Sequence, residues 1–556
     1  MKKIICLFLM LPFLGWSQVQ IGQDIHGEGN GDESGWVISL SSDGSIVAIG
    51  AHLNNGNGNN SGHVRVFENI NETWTQIGQD INGEQAEDRS GSSLSLSSNG
   101  NILAIGAPRN GSNSELSGHV RVFENINGTW TQIGQDLDGE SSGDQFGWSV
   151  SLSDNGAILA IGAIESNTSN KGYVKVFENI NGTWTQIGQK IIGENIGGSD
   201  FGWSVNISNN GNRLAVGDPF NNPTNDFNGA QTGHVRIFEN INDAWTQIGQ
   251  DIDGESSGDQ SGNKISLSSD GSTIAIGAVL NSGNGQYSGH VRVFEDINGI
   301  WTQIGQDIDG ESQNDFFGFD VNLSSDASVI FIGATGTSNG TVRLYKNINN
   351  SWTKIGQDLN GDSSGNQFGF SIDCSIDAGI IAIGDRSDNG NGSERGQVKV
   401  YDISSELALY EVIEDIAGNI NGINVTAAQL NSIIDVSGAI EGVDYTIALQ
   451  NGSYVDPSSP TASEIQAIID QVNSTLSITE ESSLDYQLYP NPTKSQFTVQ
   501  LNDGNSLEQI EVYTILGELL ITSKQTTVNT SNLSTGTYLV KITTAQGTAT
   551  EKLIIE

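Results

Sequence analysis

Basic residues, proline and cysteine are scarce in this chain of 556 residues. Lys and Arg number 23 against 66 Asp and Glu, so the formal net charge is −43. Nucleic acids and anionic membrane surfaces bind clustered cations, and this balance therefore argues against both as partners. Proline occurs only 8 times but glycine 70 times, which indicates that glycine makes many of the turns.

The two cysteines, Cys6 and Cys374, are not expected to form a disulfide, because Cys6 lies in a predicted signal peptide. A Lys-Lys pair precedes an apolar stretch too short to span a bilayer, and small residues follow it. We expect cleavage after Ser17, which removes residues 1–17 and leaves one thiol. No later stretch of the sequence is apolar for long enough to predict a transmembrane helix.

Seven imperfect repeats dominate the sequence. Each repeat contains the motif Ile-Gly-Gln, and a second motif, Phe-Gly-Trp or a variant of it, follows. Alternating apolar and polar residues with Asn-Gly turns then predict four short strands per repeat. Four strands at this period are typical of propeller blades. We therefore predict a mainly β fold, with a seven-bladed β-propeller over residues 18–403. The Ile-Gly-Gln motifs begin at Ile21, Ile77, Ile133, Ile187, Ile248, Ile304 and Ile355.

The two ends of the repeat region complement each other. The seventh repeat stops at Asp402 without the Trp-Thr-Gln-Ile-Gly-Gln that ends the other repeats, whereas residues 18–23 read Gln-Val-Gln-Ile-Gly-Gln. We expect these N-terminal residues to supply the missing outer strand of blade seven. Such pairing would join the ends of the propeller and leave no open sheet edge.

Two short motifs recur at matching places in the repeats. They are Phe-Gly at 146–147, 201–202, 317–318 and 368–369, and Ile-Gly-Ala at 161–163, 276–278 and 332–334. With these motifs the repeats resemble the FG-GAP type of β-propeller, which occurs in integrin α-subunit heads and in bacterial surface proteins. Integrin-type blades hold calcium in a loop between their first two strands. In this chain that connection is only a short turn, so the resemblance does not carry that calcium site over.

After the propeller, residues 406–476 show helical periodicity. Thr461 and Glu464 form a capping box in front of apolar residues that share one helical face. We predict a small helical module there, a spacer or docking unit, followed by a linker at 477–484.

Four motifs follow one another near the C-terminus: Tyr-Pro-Asn-Pro-Thr at 489–493, Ile-Glu-Val-Tyr at 510–513, Leu-Ser-Thr-Gly-Thr-Tyr at 533–538 and Lys-Leu-Ile at 552–554. In this order they resemble the C-terminal sorting domain of the type IX secretion pathway of Bacteroidota, which would cover residues 485–556. The resemblance implies a β-sandwich that the secretion machinery recognises, export through the periplasm, and release or anchoring at the cell surface. The alternative is an ordinary small β-sandwich.

Several residue types recur at fixed repeat positions, and we interpret them as structural. Three matches to Gly-x-Ser-x-Gly lie in loops between strands, without the strand–turn–helix context of a catalytic serine, so no catalytic residue is predicted. We expect the Trp at the start of each outer strand to be a packing anchor. A basic residue in each third strand should pair with carboxylates of a neighbouring blade: Arg65, Arg121, Lys175, Arg236, Arg292, Arg343 and Lys399.

The acidic loop that enters each blade is the candidate cation site. Closely spaced carboxylates with a glycine turn suit Ca²⁺, the one cofactor that the sequence suggests, which takes six to eight oxygen ligands. The alternative is a solvated turn in which the Asp side chains cap backbone N–H groups. The candidate ligands are Asp136, Asp138, Glu140 and Asp144, then Asp251, Asp253, Glu255 and Asp259, and then Asp307, Asp309, Glu311 and Asp315.

These loops should share one face of the propeller with the loops between second and third strands, which are longest in blade four. That long loop carries Phe220 and Phe227, which we interpret as a stacking surface for a neutral or weakly cationic sugar; alternatively, both rings cover the loop's own small core. We favour an exported, non-enzymatic binding or adhesion module for a glycan or a protein. A secreted polysaccharide-degrading enzyme and a structural surface-layer component are the alternatives. The repetition of the acids disfavours the enzyme, because a catalytic pair should be singular.

Overall fold

A computed structural model of the chain describes residues 19–164, 171–194, 199–222, 231–348, 350–388, 394–404, 406–407, 462–476, 486–501, 506–515, 519–545 and 547–555, with isolated residues between 430 and 449. The predicted signal peptide, Thr461 and Phe227 lie outside the described residues. The chain divides into two compact units, residues 1–414 and 415–556.

The described part of the first unit contains 34 strands, all of them short and rich in Val, Ile, Phe and Trp. In chain order they are β1 (Val19–Gln20), β2 (Ile25–His26), β3 (Val37–Leu40), β4 (Ile46–Ala51), β5 (His63–Asn69), β6 (Trp74–Gln76), β7 (Ile81–Asn82), β8 (Ser93–Leu96), β9 (Ile102–Ala107), β10 (His119–Ile126), β11 (Thr129–Gln132), β12 (Leu137–Asp138), β13 (Ser149–Leu152), β14 (Ile158–Ala163), β15 (Tyr173–Ile180), β16 (Thr183–Gln186), β17 (Ile191–Ile192), β18 (Ser204–Ile207), β19 (Arg213–Asp218), β20 (His234–Asn240), β21 (Trp245–Gln247), β22 (Ile252–Asp253), β23 (Ser261–Leu267), β24 (Thr273–Ala278), β25 (His290–Asp296), β26 (Trp301–Gln303), β27 (Ile308–Asp309), β28 (Phe317–Leu323), β29 (Val329–Ala334), β30 (Thr341–Ile348), β31 (Ser351–Asn360), β32 (Phe368–Cys374), β33 (Ile380–Asp385) and β34 (Gln397–Asp402).

These strands form seven antiparallel sheets in the described residues, and each sheet is one blade. Within a blade the strands lie in chain order, from the first strand at the centre to the fourth at the rim. Each first strand contacts the first strand of the next blade, and the last one contacts β3, so the blades form a closed ring. The first strands are β3, β8, β13, β18, β23, β28 and β32.

The N-terminal residues provide the outer strand of blade seven. Val19 and Gln20 pair with Asp402 and Tyr401 of β34, and β2 continues the pairing along the same strand. The backbone N–H of Ile21 donates to the carbonyl of Val400 at 2.8 Å between these two short strands. Blade seven is thus assembled from both ends of the propeller sequence.

The hydrophobic cores lie between neighbouring blades, one at each of the seven interfaces of the described ring. Gly106 and Gly147 approach each other at the interface of blades two and three. A Cβ on Gly106 would lie 2.2 Å from the carbonyl oxygen of Gly147, and Gly147 has a positive φ of 87°. A side chain at either position would push the blades apart, which explains why both glycine motifs recur in the sequence.

At the rim, the tryptophans latch each blade to the one before it. The indole N–H of Trp130 donates to the carbonyl of Ile77 at 3.1 Å, and the side chain of Gln79 bonds the backbone N–H and C=O of Trp130. Trp130 is only 3% exposed, and the equivalent indole bonds occur in five other blades. The predicted role of the tryptophans as packing anchors is confirmed, and the Ile-Gly-Gln motif is the other half of the latch.

Blade seven has no such tryptophan, and a different residue stands in its place. The Glu406 carboxylate lies against Gly356, where the other blades bring a tryptophan ring against the equivalent glycine. Ile403 and Leu407 pack into the core shared by blades six and seven. Leu407, which the sequence assigns to the helical module, therefore packs with the propeller.

The second unit contains one described helix and two described sheets. In helix α1 (Ala462–Leu476), Ile465 and Ile469 are fully buried, and the Tyr445 hydroxyl donates to Asn473 Oδ1 at 2.6 Å. The strands are β35 (Tyr486–Tyr489), β36 (Gln496–Leu501), β37 (Leu507–Thr514), β38 (Leu519–Ser523), β39 (Thr527–Asn529), β40 (Gly536–Thr544) and β41 (Gly547–Ile555). One sheet has the order β35-β36-β39 and the other β38-β37-β40-β41, and a shared hydrophobic core joins them as a β-sandwich. No described helix of the chain has the length and apolar character needed to cross a membrane.

Candidate functional site

The first strands of all seven blades surround a central cavity of about 640 Å³. A belt of backbone hydrogen bonds borders the cavity at the end where the first strands stop. In this belt the N–H of Ser42 donates to Ser98, that of Ser98 to Asp154, and that of Ile376 back to Ser42, at 2.8–2.9 Å. The belt links neighbouring blades where the first strands present unpaired edges.

Polar side chains of the first strands satisfy the remaining edge groups. Ser39 Oγ accepts the N–H of Leu96 at 3.1 Å, and Ser266 Oγ accepts that of Leu323 at 2.9 Å. Because an unpaired N–H in a buried sheet edge is costly, these serines are needed for ring assembly. The serine-rich wall of the cavity therefore has a structural explanation.

The opposite mouth of the cavity carries two arcs of aromatic rings. One arc runs through Phe319, Phe370 and Trp36 in blades six, seven and one, with centroids 4.8 and 4.9 Å apart. The other joins Trp148 and Trp203 in blades three and four, at 4.8 Å. All five line the cavity, and Phe370 is the most buried. The arcs present ring surface at the entrance of this central cavity.

These aromatic residues occupy one repeat position, directly after the glycine of the Phe-Gly-Trp motif. In the sequence this motif indicates the repeats, and its third residue was not among the predicted functional residues. Blades two and five have Ser92 and Asn263 there instead, and these two residues separate the arcs. The signal was present in the sequence as a position that alternates between aromatic and polar residues.

The candidate residue Phe220 extends the second arc. Its ring centroid lies 5.3 Å from that of Trp203, at an interplanar angle of 82°, and the side chain is half-buried. Phe220 thus lies beside the cavity mouth, while Phe227 falls outside the described residues. The role of Phe220 and Phe227 in binding stays a prediction.

Three arginines lie at the mouth, although basic residues are scarce in the chain. Arg386 stacks on Phe370 at 4.2 Å and pairs with Glu33 at 3.3 Å. Within the described residues, neither Arg89 nor Arg109 lies within ion-pair distance of a carboxylate, and the buried Arg89 Nε has no hydrogen-bond partner. Arg89 and Arg109 line the gap between the arcs at blade two.

His52 stands beside these arginines, 3.9 Å from Trp36 by ring centroids. Burial, together with the positive charges of Arg89, Arg386 and Arg109, lowers the pKa of His52 to about 3. The imidazole is therefore neutral at physiological pH. It adds an aromatic surface to the arc without adding charge.

The other side of the cavity holds a singular set of charges. Lys264 Nζ lies 3.8 Å from the buried carboxylate of Asp320. Asp320 accepts the N–H of Ile372, and Asp373 accepts that of Leu40, both at 2.7 Å. Burial raises the pKa of Asp373 to about 6 and also raises the pKa of Asp320. Both carboxylates accept a backbone N–H of the next blade, as serines do in other blades.

The last acid of each predicted calcium loop is a buried turn anchor. Asp144 accepts the N–H groups of Glu140 and Ser141 at 2.9 Å and the hydroxyl of Tyr173 at 2.7 Å. Asp259 and Asp315 accept the N–H groups of Ser256 and Ser312 in the same way. This geometry matches the capped-turn alternative stated for these loops.

In blades four and seven the acid that anchors this turn lies at the end of the second strand and not in the loop. Ser199 and Asn366 stand where the other loops have the buried Asp, and Asp218 and Asp385 replace the final alanine of the second strand. The Ser199 hydroxyl donates to Asp218, and the Asn366 amide donates to Asp385. Each blade thus keeps one carboxylate against this turn, which indicates that the acid serves the fold.

The glutamates of the loops pair with the basic column, as predicted. Glu140 lies 2.6 Å from Lys175, Glu255 3.6 Å from Arg292 and Glu311 3.1 Å from Arg343. The remaining blades show the same ion pair. The predicted pairing of the basic column is confirmed in all seven blades.

The other acids of the predicted calcium loops have partners of their own. Asp138, Asp253 and Asp309 pair in register with the third strand and are exposed, whereas Asp136, Asp251 and Asp307 each accept an amide N–H from a glutamine four residues earlier. The four acids of one loop therefore have separate partners.

Mixed groups of Glu, His and Asp, with ligand atoms within 4.8 Å of one another, occur in three blades of the described residues: Glu28, His63 and Asp80; Glu84, His119 and Asp136; and Glu255, His290 and Asp307.

The fold and the C-terminal tail define an exported β-propeller protein. Residues 137–177 match the family model of the FG-GAP repeat, and residues 487–556 match that of the secretion system C-terminal sorting domain. The protein is an FG-GAP-type propeller repeat protein with a type IX secretion sorting domain. The tail indicates export by that machinery to the cell surface or the medium.

Several solved structures are similar to the chain at low identity. A putative 6-phosphogluconolactonase from Bacteroides fragilis is 14% identical, with a TM-score of 0.42, over 62% of this chain and 92% of that one. A protein from Lactobacillus plantarum is 12% identical, with a TM-score of 0.46, over 65% and 93%. The Dos1 propeller is 11% identical, with a TM-score of 0.39, over 69% and 95%. No curated protein matches the chain, and likenesses this distant carry no argument about activity.

Proposed function

We propose that the exported propeller is a non-enzymatic glycan-binding module whose ligand enters the central cavity through the aromatic mouth. The observation that carries this proposal is the pair of arcs formed by Phe319, Phe370 and Trp36 and by Trp148 and Trp203 around a cavity of about 640 Å³. Cavities of this size hold small ligands, and flat apolar rings beside polar groups are typical of sugar sites.

The residues at the mouth favour an acidic glycan. The whole chain has a net charge of −43, but Arg89 and Arg109 stand at the mouth without an ion-pair partner in the described residues. A carboxylate or sulfate on a sugar ring would satisfy both guanidinium groups while the ring stacks on Trp36 or Trp148. We propose this in place of the neutral sugar expected from the sequence, because two arginines at the mouth have no ion-pair partner in the described residues.

A polysaccharide-degrading activity is the second candidate, since Asp320 and Asp373 form a singular pair of buried acids in the cavity. Both, however, accept backbone N–H bonds from the neighbouring blade. Ser371 and Ser39, at the equivalent positions of neighbouring blades, accept the same kind of bond from Ile38 and Leu96. We therefore favour binding over hydrolysis.

The test is titration of the purified protein with an oligogalacturonide and with a neutral glucan of the same length. We expect the acidic sugar to bind more tightly, and Trp148→Ala with Trp203→Ala to weaken it about tenfold per ring. Tyr287→Ala is the matched control, because this aromatic side chain is 39% exposed and does not line the cavity. Binding that survives the double substitution, or release of reducing ends from either sugar, would contradict the proposal.

A further inference from the structure

Among the described residues, three blades share a polar pocket that the other four lack. In blades one, two and five, Ser34, Ser90 and Ser261 replace the phenylalanine of the Phe-Gly motif, and each of these blades has a His at the start of its third strand. In the other blades Phe146, Phe201, Phe317 and Phe368 fill this place and are fully buried. The smaller serine leaves room beside the histidine.

The histidines of these pockets are buried without a full set of partners. His63, His119 and His290 are each 1% exposed. Among the described residues His119 has no hydrogen-bond partner on either nitrogen, and Nε2 of His63 and of His290 has none. The hydroxyl groups of the three serines are also buried and unpaired. A buried polar group normally has a partner, so these pockets are short of one.

Two carboxylates converge on each histidine. In blade two, Glu84 comes from the loop entering the blade and Asp136 follows the outer strand, and their ligand atoms lie within 4.8 Å of that of His119. Gln132 donates to one oxygen of Asp136 at 2.7 Å, which orients the carboxylate and leaves its other oxygen available. The same glutamine bond occurs at Asp307.

The ion pairs of the basic column differ in the same three blades. The distances from Arg65 to Glu28, from Arg121 to Glu84 and from Arg292 to Glu255 are 3.8, 3.8 and 3.6 Å. In the other four blades the equivalent pairs lie between 2.6 and 3.1 Å. The three arginines instead donate to backbone carbonyls at 2.6–2.7 Å. The glutamates of the His-containing pockets are thus less engaged with arginine.

We infer that these three pockets are divalent transition-metal sites, each with one His, one Glu and one Asp as protein ligands, and that Zn²⁺ is the ion they fit. An imidazole nitrogen with two carboxylates suits zinc, whereas calcium takes six to eight oxygens. The glutamates are 38–47% exposed, which gives an ion access from solvent. The nearby arginine opposes the cation, so we expect weaker binding than at a four-ligand structural zinc site.

The test is isothermal titration of the chelator-treated protein with ZnCl₂, with bound metal counted by elemental analysis. We expect three ions per chain, and one fewer in each of His63→Gln, His119→Gln and His290→Gln. Glutamine is a suitable replacement because Gln397 occupies this strand position in blade seven. Ser90→Phe rebuilds the arrangement of the other blades and should also remove one ion while the protein stays folded.

His234→Gln is the matched control. His234 has the same strand position in blade four, but Phe201 stands where the metal pockets have serine, and His234 lies 3.8 Å from the buried Asp218. This variant should keep all three ions. Zinc binding that is unchanged in the triple His63, His119 and His290 variant would overturn the inference, as would calcium binding that depends on the same histidines more than zinc binding does.

Discussion

Deletion of residues 18–23 from the mature chain should destabilise the whole propeller, because blade seven would lose the main part of its outer strand. The deletion removes the β1 pairing with β34 and the bond from Ile21 N–H to the Val400 carbonyl. It also removes the rim latch of blade one. In that latch the Trp74 indole donates to the Ile21 carbonyl, and the Gln23 side chain bonds the backbone of Trp74 at 2.8 and 3.2 Å.

The expected loss can be worked out from these contacts. Four hydrogen bonds at about 1 kcal/mol each amount to about 4 kcal/mol. Partial exposure of Trp74 and of the blade-seven edge adds about 1–2 kcal/mol. An unfolding entropy of about 2 cal/mol/K per residue over residues 18–403 gives roughly 0.8 kcal/mol/K, so the Tm should fall by about 6–8 °C.

The assay is thermal and urea unfolding followed by circular dichroism and tryptophan fluorescence. Gln23→Ala alone should cost about 1–2 kcal/mol, because it removes two of the four bonds. Val19→Ala is the control; Val19 is 60% exposed, so its truncation should change stability by less than about 0.5 kcal/mol. A deletion variant that melts within a degree of the full chain would refute closure by the N-terminal strand.

Three further outcomes are expected. Removal of residues 487–556 should retain the protein in the periplasm, as judged by cell fractionation, and its normal appearance at the surface would contradict the sorting role. Burial raises the pKa of Asp218 to about 7; the folded state therefore keeps a proton that the unfolded chain releases near pH 4, and stability should fall as the pH rises from about 4 to 7. Asp218→Asn should flatten this decline in urea unfolding at pH 5 and pH 8, and an unchanged slope would count against the buried acid. Gly106→Ala should destabilise by more than about 2 kcal/mol, because its Cβ would meet the Gly147 carbonyl oxygen at 2.2 Å, whereas Gly111→Ala, with no atom nearer than 3.8 Å, should be neutral by the same unfolding assay.

Much of the architecture could be predicted because the same residue types recur at the same positions of several repeats. A basic residue that recurs at one position in all seven blades, or a tryptophan that recurs in six of them, should have the same role each time. The Arg121–Glu84 pair and the Trp130 latch bear this out. The sorting domain was likewise predictable, since its motifs are local and ordered. The calcium sites stay a prediction, because spacing along a loop does not say which way each carboxylate turns.

The sequence by itself determined the blade repeat, the pairing of its columns, the strand that the N-terminus contributes and the tail that directs export, because these depend on local pattern and on repetition. Only the tertiary structure decided where the deviations from the repeat meet. Closing the ring brings the first strands to one axis, so that Trp36 and Phe370, more than 300 residues apart in sequence, become neighbours at one mouth. The pairing of strands within blade two likewise brings Glu84, His119 and Asp136 into one pocket. Side chains on different blades converge only through the packing between blades, and a repeat read along the chain contains no information on that distance.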